Sequence, residues 1–338
     1  MKIVQHLFDS SKTDQVCFSR SGDSFTELRN NGMNVVYSVR IVGEKHFRVY
    51  SNINATHDTG FSRTATRMYL RADGEGTVRE QEALLGNITS NSISRISTRG
   101  KEEALRSAID VSCLTCLRAS LDGRYIAYGN GDGQFELWNM DMAPHKIFSY
   151  GFDEPTSIAD MCFSRTNLEL LVSTTSGTTH LFDLHRDEVR TLSAEDGWPC
   201  YSIDVQTDGD GIVFAGEEGM LWMLDVKGAT LPNNVSVEDV PFRLEQARTV
   251  TGTTYWRVAA KPRSSVSCIR TTVGSYATQV RFLRDDLICV LGERATEIWS
   301  LDGDEPRQVL RQSHDRDARP LSFGGTPELV RVALGRAI

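Results

Sequence analysis

Nine residues set a pattern that the rest of the chain repeats in worn form: Gly131-Asp132-Gly133-Gln134-Phe135-Glu136-Leu137-Trp138-Asn139. They read as a tight turn, then an alternating strand, then an aromatic followed by a small polar residue. With Trp138 as anchor, Gly177-Thr178-Thr179-His180-Leu181-Phe182-Asp183 repeats the form 44 residues later, at Phe182. Gly219-Met220-Leu221-Trp222-Met223-Leu224-Asp225 repeats it after a further 42, at Leu224. The segment around Trp299 fits without the glycine, and the segment around Tyr50 lies 88 residues before Trp138, twice the period.

A second landmark precedes each anchor: Phe163 stands 19 residues before Phe182, and Ala119 stands 19 before Trp138. From that landmark the chain reads as strand, polar hairpin, strand, glycine turn, strand. Leu121-Asp122-Gly123-Arg124 and Arg165-Thr166-Asn167 are the hairpins; Tyr125 to Tyr128 and Leu168 to Val172 are the strands that follow. Short strands at a period of 40 to 45 residues read as the blades of a β-propeller. The expectation is an all-β chain forming one domain over 1–338, with about seven four-stranded blades in a range of six to eight. Anchors fall near 50, 81, 138, 182, 224 and 299, and a closing blade follows. Phe61-Ser62-Arg63 with Gly76 to Gln81 reads as a degenerate second blade. Two stretches break the rhythm and are expected as irregular insertions: 82–110, helix-like at Glu102-Glu103-Ala104-Leu105-Arg106, and 228–275.

The chain ends read as one blade. Arg319 to Phe323 and Leu329 to Leu334 are its first two strands, and Val4-Gln5-His6-Leu7-Phe8-Asp9 can supply the third. His6-Leu7-Phe8-Asp9 is identical to His180-Leu181-Phe182-Asp183. Sharing a blade removes sheet edges that an open ring would carry.

On these residues the chain resembles the WD-repeat family. The slot that holds Trp-Asp in that family is Tyr50-Ser51, Trp138-Asn139, Phe182-Asp183, Leu224-Asp225 and Trp299-Ser300 here. The resemblance marks Asp132, Gly133, Trp138, Gly177, Phe182, Asp183, Gly219, Asp225 and Trp299 as structural repeat positions. It implies that Asp132 ties His, Ser/Thr and Trp into a hydrogen-bonded tetrad. The Gly-His that opens a blade in the family is represented only by Ser313-His314, so that network is expected to be incomplete. The resemblance also implies a non-catalytic platform for proteins or peptides. Phosphoinositide-binding propellers carry Phe-Arg-Arg-Gly, and this chain has no Arg-Arg. Ubiquitin-ligase receptors of the family place Arg two residues after Trp-Asp; Phe182-Asp183-Leu184-His185-Arg186 misses by one.

The formal net charge of -8 argues against a general nucleic-acid binder. No run of 18 apolar residues is present, and the opening Met1 to Asp9 is too short in apolar residues for a signal peptide, so a cytoplasmic or nuclear location is expected. Seven cysteines without framework spacing read as reduced thiols. Cys113-Leu114-Thr115-Cys116 lacks two further ligands for zinc, and i and i+3 point to opposite faces of a strand. Gly74-Glu75-Gly76 and Gly129 to Gly133 lack the strand-to-helix setting that binds phosphate. His6 and His180 read as packing or solvated histidines. No metal, cofactor or catalytic constellation is expected.

One recurrence stands outside the fold's needs. Phe18-Ser19-Arg20, Phe61-Ser62-Arg63, Phe163-Ser164-Arg165 and Phe282-Leu283-Arg284 set an arginine at equivalent hairpins. Arg20, Arg63, Arg165 and Arg284 on one face of a disc could receive a carboxylate- or phosphate-bearing partner; solvated turn arginines are the plainer reading. Arg257, Lys261 and Arg263 beside Tyr255 and Trp256 are the only basic, aromatic patch, and they keep a ribonucleoprotein or chromatin-associated role as the alternative to a protein-binding scaffold. A propeller enzyme would need convergent acids at the inner strand ends, and none is legible.

Overall fold

The computed structural model describes the chain except for residues 10–12, 19–21, 23, 31–34, 42–47, 54–66, 73–77, 88–90, 98–101, 111–112, 121–122, 141–142, 153–155, 165–168, 185–187, 194–199, 207–210, 217, 226–242, 250–253, 260–267, 303–305 and 337–338. Among the described residues there is no helix; the strands form seven sheets, one per blade. The first strand, β1 (Lys2–Asp9), belongs to the last blade. Blade 1 is β2 (Thr13–Phe18), β3 (Ser24–Asn30), β4 (Val35–Ile41) and β5 (Arg48–Ile53); blade 2 is β6 (Arg67–Ala72), β7 (Val78–Asn87), β8 (Ser92–Ser97) and β9 (Glu102–Arg106). Blade 3 is β10 (Leu114–Ala119), β11 (Tyr125–Asn130), β12 (Gln134–Asn139) and β13 (His145–Gly151). Blade 4 is β14 (Ile158–Phe163), β15 (Glu169–Thr174), β16 (Thr178–Asp183) and β17 (Glu188–Ser193). Blade 5 is β18 (Cys200–Val205), β19 (Gly211–Gly216) and β20 (Met220–Asp225); its fourth strand comes only after an excursion. In that excursion β21 (Arg243–Thr249) and β22 (Thr254–Ala259) pair onto β17, making blade 4 six-stranded; β23 (Cys268–Arg270) then completes blade 5. Blade 6 is β24 (Ala277–Arg284), β25 (Leu287–Gly292), β26 (Ala295–Ser300) and β27 (Arg307–Ser313). Blade 7 is β28 (Arg319–Gly325), β29 (Leu329–Arg336) and β1.

The apolar alternation of each strand is consumed between neighbouring blades. Ala127, Phe135 and Leu137 of blade 3 meet Met161, Leu170 and Phe182 of blade 4. Cys162, Leu171 and Leu181 meet Ile203 and Ile212 of blade 5. Val213 and Leu221 meet Val280 and Ile288 of blade 6; Cys289 and Ile298 meet Phe323 and Val332 of blade 7. Phe8 and Ala333 meet Val16, Phe18 and Phe25, which joins the last blade to the first. Each buried Leu, Ile or Phe in these layers contributes about 1.5–3 kcal/mol.

Seven blades, the seventh built from both chain ends, match the sequence expectation. The direction of the closing strand does not. β1 was expected as a copy of β16, which runs antiparallel to both of its neighbours, yet β1 runs parallel to β29 from Lys2↔Leu329 to Asp9↔Arg336. The link to β2 is the reason. Innermost strands start on one face of the disc, and β1 must end on that face to hand the chain over through 10–12; third strands run the other way.

The phase of the first two blades also differs. Tyr50 lies on β5, the fourth strand of blade 1, and Gln81 lies on β7, the second strand of blade 2. The stretch 82–110, expected as an irregular insertion, carries most of β7 and all of β8 and β9; Glu102–Arg106 is a strand rather than helical. Ile93 and Ile96 are three residues apart, so Ser92–Ser97 shows no period-2 apolar alternation, yet it forms β8, and Ile93 and Leu105 are buried in the layer with blade 3. The stretch 228–275 splits between the β21–β22 hairpin and β23. Phe61-Ser62-Arg63, Gly74 to Gly76, Lys261 and Arg263 lie outside the described residues.

Candidate functional site

Two sets of contacts hold the disc rigid, and a third feature decorates one mouth of its centre. The first set links innermost strands. Asp160 on β14 accepts the Ile203 N–H at 3.1 Å; Asp204 on β18 accepts the Phe282 N–H at 2.7 Å. Gln279 on β24 accepts the Phe323 N–H at 3.2 Å; Ser322 on β28 accepts the Phe18 N–H at 3.2 Å. Thus a polar side chain of each blade from 4 to 7 ties the backbone of the next, and the last tie joins blade 7 to blade 1. Arg118 on β10 ion-pairs with Asp160 and donates to the Met161 carbonyl at 2.8 Å, and the Arg281 guanidinium lies over the Phe323 ring at 5.5 Å. The acids that sequence reading did not find at the inner strands are here, bound to neighbouring backbone rather than converging on a void.

The second set replaces the expected tetrad. Trp138 Nε1–H donates to Tyr128 Oη at 3.0 Å and to Glu136 Oε2 at 3.1 Å; Asp132 instead accepts from the Cys113 thiol at 3.5 Å. Glu136 is fully buried and also accepts from Tyr128, from the Ala108 N–H at 2.9 Å and from Ser149 at 3.0 Å, with Lys146 at 3.4 Å. Burial pushes its carboxyl up, but the hydrogen bonds from Tyr128, Trp138, Ala108 and Ser149 outweigh that and hold it below the ordinary range. Burial and the Glu136 charge push the Tyr128 hydroxyl up. Blade 6 repeats the device: Trp299 Nε1–H donates to the buried Glu297 at 2.9 Å, which also accepts the Thr272 N–H at 3.1 Å and pairs with Arg311 at 3.4 Å. The signal was in the sequence: Glu two residues before Trp, on the same face of the strand, in both repeats.

The third feature is a series of bulges. In six blades the pairing of the innermost strand with its neighbour skips one residue near the strand's start: Asp14, Thr115, Ala159, Tyr201, Thr278 and Leu321. These strand starts lie beside the turns between second and third strands: the Gly131 N–H bonds the Cys113 carbonyl at 2.8 Å, and the Thr175 N–H bonds that of Ser157 at 2.9 Å. In that turn of blade 3, Gly133 is required (φ 73°), since a Cβ would stand 2.6 Å from the Thr156 carbonyl oxygen. Bulges re-aim side chains, and in the series one is a large aromatic. Tyr201, 37 % exposed, meets Tyr276, 49 % exposed, edge to face at 5.8 Å between ring centres. In the adjacent turn of blade 5, Glu218 holds a left-handed backbone (φ 54°) without being glycine, and its carboxylate faces Arg270 at 3.6 Å with both side chains largely exposed. A non-glycine residue in that region costs about 1–2 kcal/mol.

The sequence-derived candidates are placed as follows. Trp138, Phe182, Asp225 and Trp299 lie on the third strands of blades 3 to 6, as does Asp183; Gly177 and Gly219 turn into two of them with φ of 85° and 68°. Arg284 ends β24, and its guanidinium is engaged by both carboxylate oxygens of Asp286, Nη2 at 2.7 Å from Oδ2. Arg20, Arg63 and Arg165 lie outside the described residues. Both repeat histidines pack on rings, His6 on Phe18 at 5.7 Å and His180 on Phe152 at 4.4 Å. Burial pushes the Cys200 thiol up to about 12 and raises that of Cys289 as well, so both are inert near neutrality. Among the described residues no group of His, Cys, Asp and Glu could hold a metal ion, and no helix is long and apolar enough to cross a membrane.

No protein-family model and no curated protein sequence matches the chain. Its structure is similar to the solved β-propeller domain of Myceliophteria thermophila Cps50 (Swd1), with a TM-score of 0.60, 10 % identity, and coverage of 94 % of this chain and 90 % of that one. At that identity the likeness speaks for the fold alone, and it agrees with the repeat: the chain is a β-propeller.

Proposed function

We propose that the protein is a non-catalytic scaffold that holds protein or peptide partners, and that Tyr201 and Tyr276 anchor one of them. The observation that carries this reading is the exposed aromatic pair itself. Buried tyrosines are routine, but two half-exposed rings set edge to face at the mouth of a rigid disc are the kind of group on which interface energy concentrates. The strained, charged turn at Glu218 beside them supports it, since strain of this kind gathers at ligand clamps. The inner acids Asp160 and Asp204 are occupied by backbone N–H groups, which favours binding over catalysis.

The test is co-purification from the native source with quantitative mass spectrometry, comparing the wild type with the Tyr201→Ser, Tyr276→Ser double variant. A set of proteins recovered with the wild type should fall about tenfold, the loss expected when anchors worth roughly 2 kcal/mol are removed. Unchanged recovery of every partner would overturn the reading. A nucleic-acid role keeps one supporting observation: Tyr255, Trp256 and Arg257 lie on β22, the outermost strand of the six-stranded sheet. RNA binding that weakens steeply with salt and is lost in Arg257→Ala would favour it.

A further inference from the structure

Among the described residues blade 7 is one strand short. Among the described residues every other blade has a fourth strand hydrogen-bonded outside its third, whereas β1 pairs only with β29. The outer part of β1 is less covered than its counterpart in blade 4, where Ile203 and Ile212 of blade 5 pack on Leu181. Leu181, in the third strand of blade 4, is 3 % exposed; Leu7, the same residue of the same tetrapeptide in β1, is 52 % exposed. The neighbouring blades 6 and 1 each reach one strand further out, so the open edge of β1 is recessed by about 4.8 Å between them.

The two faces of this edge differ in chemistry. Ile3, Gln5 and Leu7 point toward blade 6: Ile3 joins the layer shared with that blade, and the Gln5 amide donates to the Ser313 carbonyl at 2.9 Å. Lys2, Val4, His6 and Phe8 point toward blade 1, where His6 and Phe8 meet Phe18 and Phe25. The register sets Arg331 beside Val4 on that second face, and neither β1 nor β29 places a carboxylate on it. One side of the slot is therefore apolar at Leu7 and the other is cationic at Lys2 and Arg331.

We infer that the open edge of β1 receives an extended strand of another protein, about six residues long, with apolar and acidic side chains in alternation. The apolar side chains cover Leu7 on the blade 6 side, and the acidic ones meet Lys2 and Arg331 on the blade 1 side. Backbone hydrogen bonds to β1 supply the affinity and the alternation supplies the specificity. A second copy of this chain is the poorer fit. Antiparallel self-pairing about a two-fold axis keeps each face on its own side, so it would bring a second Lys2 and a second Arg331 to a face already cationic. The inference is independent of Tyr201 and Tyr276.

The test uses the full chain and three capped, fluorescein-labelled octapeptides: alternating Val and Glu, alternating Val and Lys, and the Val–Glu peptide with alternate backbone nitrogens methylated on its pairing edge. Fluorescence anisotropy should show binding of the Val–Glu peptide, with about tenfold weaker binding of the methylated form, since two or more backbone hydrogen bonds are removed. Lys2→Glu should weaken the Val–Glu peptide about threefold and strengthen the Val–Lys peptide, and Leu7→Glu should weaken the Val–Glu peptide. Both positions are exposed, so circular dichroism should show intact folds. Failure of the Val–Glu peptide to bind, equal binding of the methylated peptide, or indifference to both substitutions would overturn the inference. So would a dimer in light scattering that Leu7→Glu dissociates, which would give the edge to a second copy.

Discussion

His-Leu-Phe-Asp occurs twice, at 6–9 and at 180–183, and each copy fills the third place of a blade. In blade 4 the strand runs antiparallel between two partners; in blade 7 it runs parallel to one partner and, among the described residues, has no strand outside it. Phe182 is wholly buried and touches Phe135 at 4.9 Å and Tyr150 at 5.2 Å, whereas Phe8 is 8 % exposed and touches Phe25 at 5.5 Å. Identical residues thus have different duties. In blade 4 they lie inside a sheet that continues through three more strands, β17, β21 and β22, and in blade 7 they close the ring.

Deletion gives the harshest test of that contrast. Removing residues 1–9 strips blade 7 of a strand and exposes Val330, Val332, Leu334, Phe18 and Phe25. The loss is on the order of 10 kcal/mol, as large as a whole domain's stability. The expected outcome is no folded monomer by size exclusion and circular dichroism. Replacing 241–260 by a short Gly-Ser link removes the β21–β22 hairpin from a blade that already has four strands, and the hairpin is held to β17 by three register pairs. Urea unfolding should then change by about 1 kcal/mol or less. Equal effects of the two deletions would break the comparison. Point substitutions sharpen it. Phe182→Ala should cost about 4 kcal/mol and Phe8→Ala about 3 kcal/mol, the difference being the aromatic cluster. Leu181→Ala should cost about 3 kcal/mol, and Leu7→Ala less than about 0.5 kcal/mol, because Leu7 is already in water in the isolated chain.

Blades 3 to 5 were legible because their glycine turns and anchor residues keep a 42- to 44-residue spacing, and blade 6 because Trp299 keeps the anchor form, 75 residues past Leu224 and without the glycine. Blades 1 and 2 were legible as present but not in phase, since Tyr50 and Gln81 mimic anchors on strands that are the fourth and the second. The parallel run of β1 was not legible at all. A period-2 pattern reads the same in either direction, and only the three-residue link to β2 fixes it. At the candidate site, Tyr201 stands four residues before Val205, as Thr115 stands before Ala119 and Ala159 before Phe163. An aromatic at a position otherwise held by Asp, Thr, Ala or Leu was the available signal. Tyr276 carried none, since its loop has no counterpart of similar spacing. Glu136 and Glu297 were in view in the quoted repeats, but a Glu on a strand reads as solvent-facing until a buried Trp claims it.

The smallest expected effect separates the two histidines. His6 is half-buried against Phe18, and burial first, then the Arg331 charge, lowers its pKa below the ordinary 6.5. The folded chain therefore holds His6 neutral where the unfolded chain would already bind a proton. By linkage the unfolded state takes up more protons in that window, so stability rises with pH there. The contribution is fully present above pH 6.5 and is lost as pH falls through the lower folded value. His314, also lowered by burial, adds to the same slope, so the measurement must be a difference. Urea unfolding of the wild type and of His6→Leu between pH 7.5 and 5 should give a shallower pH dependence for the variant. His180→Leu serves as the matched control in blade 4, and a slope reduced as much by that change as by His6→Leu would mean that the two copies of the tetrapeptide do not differ in the way the parallel strand implies.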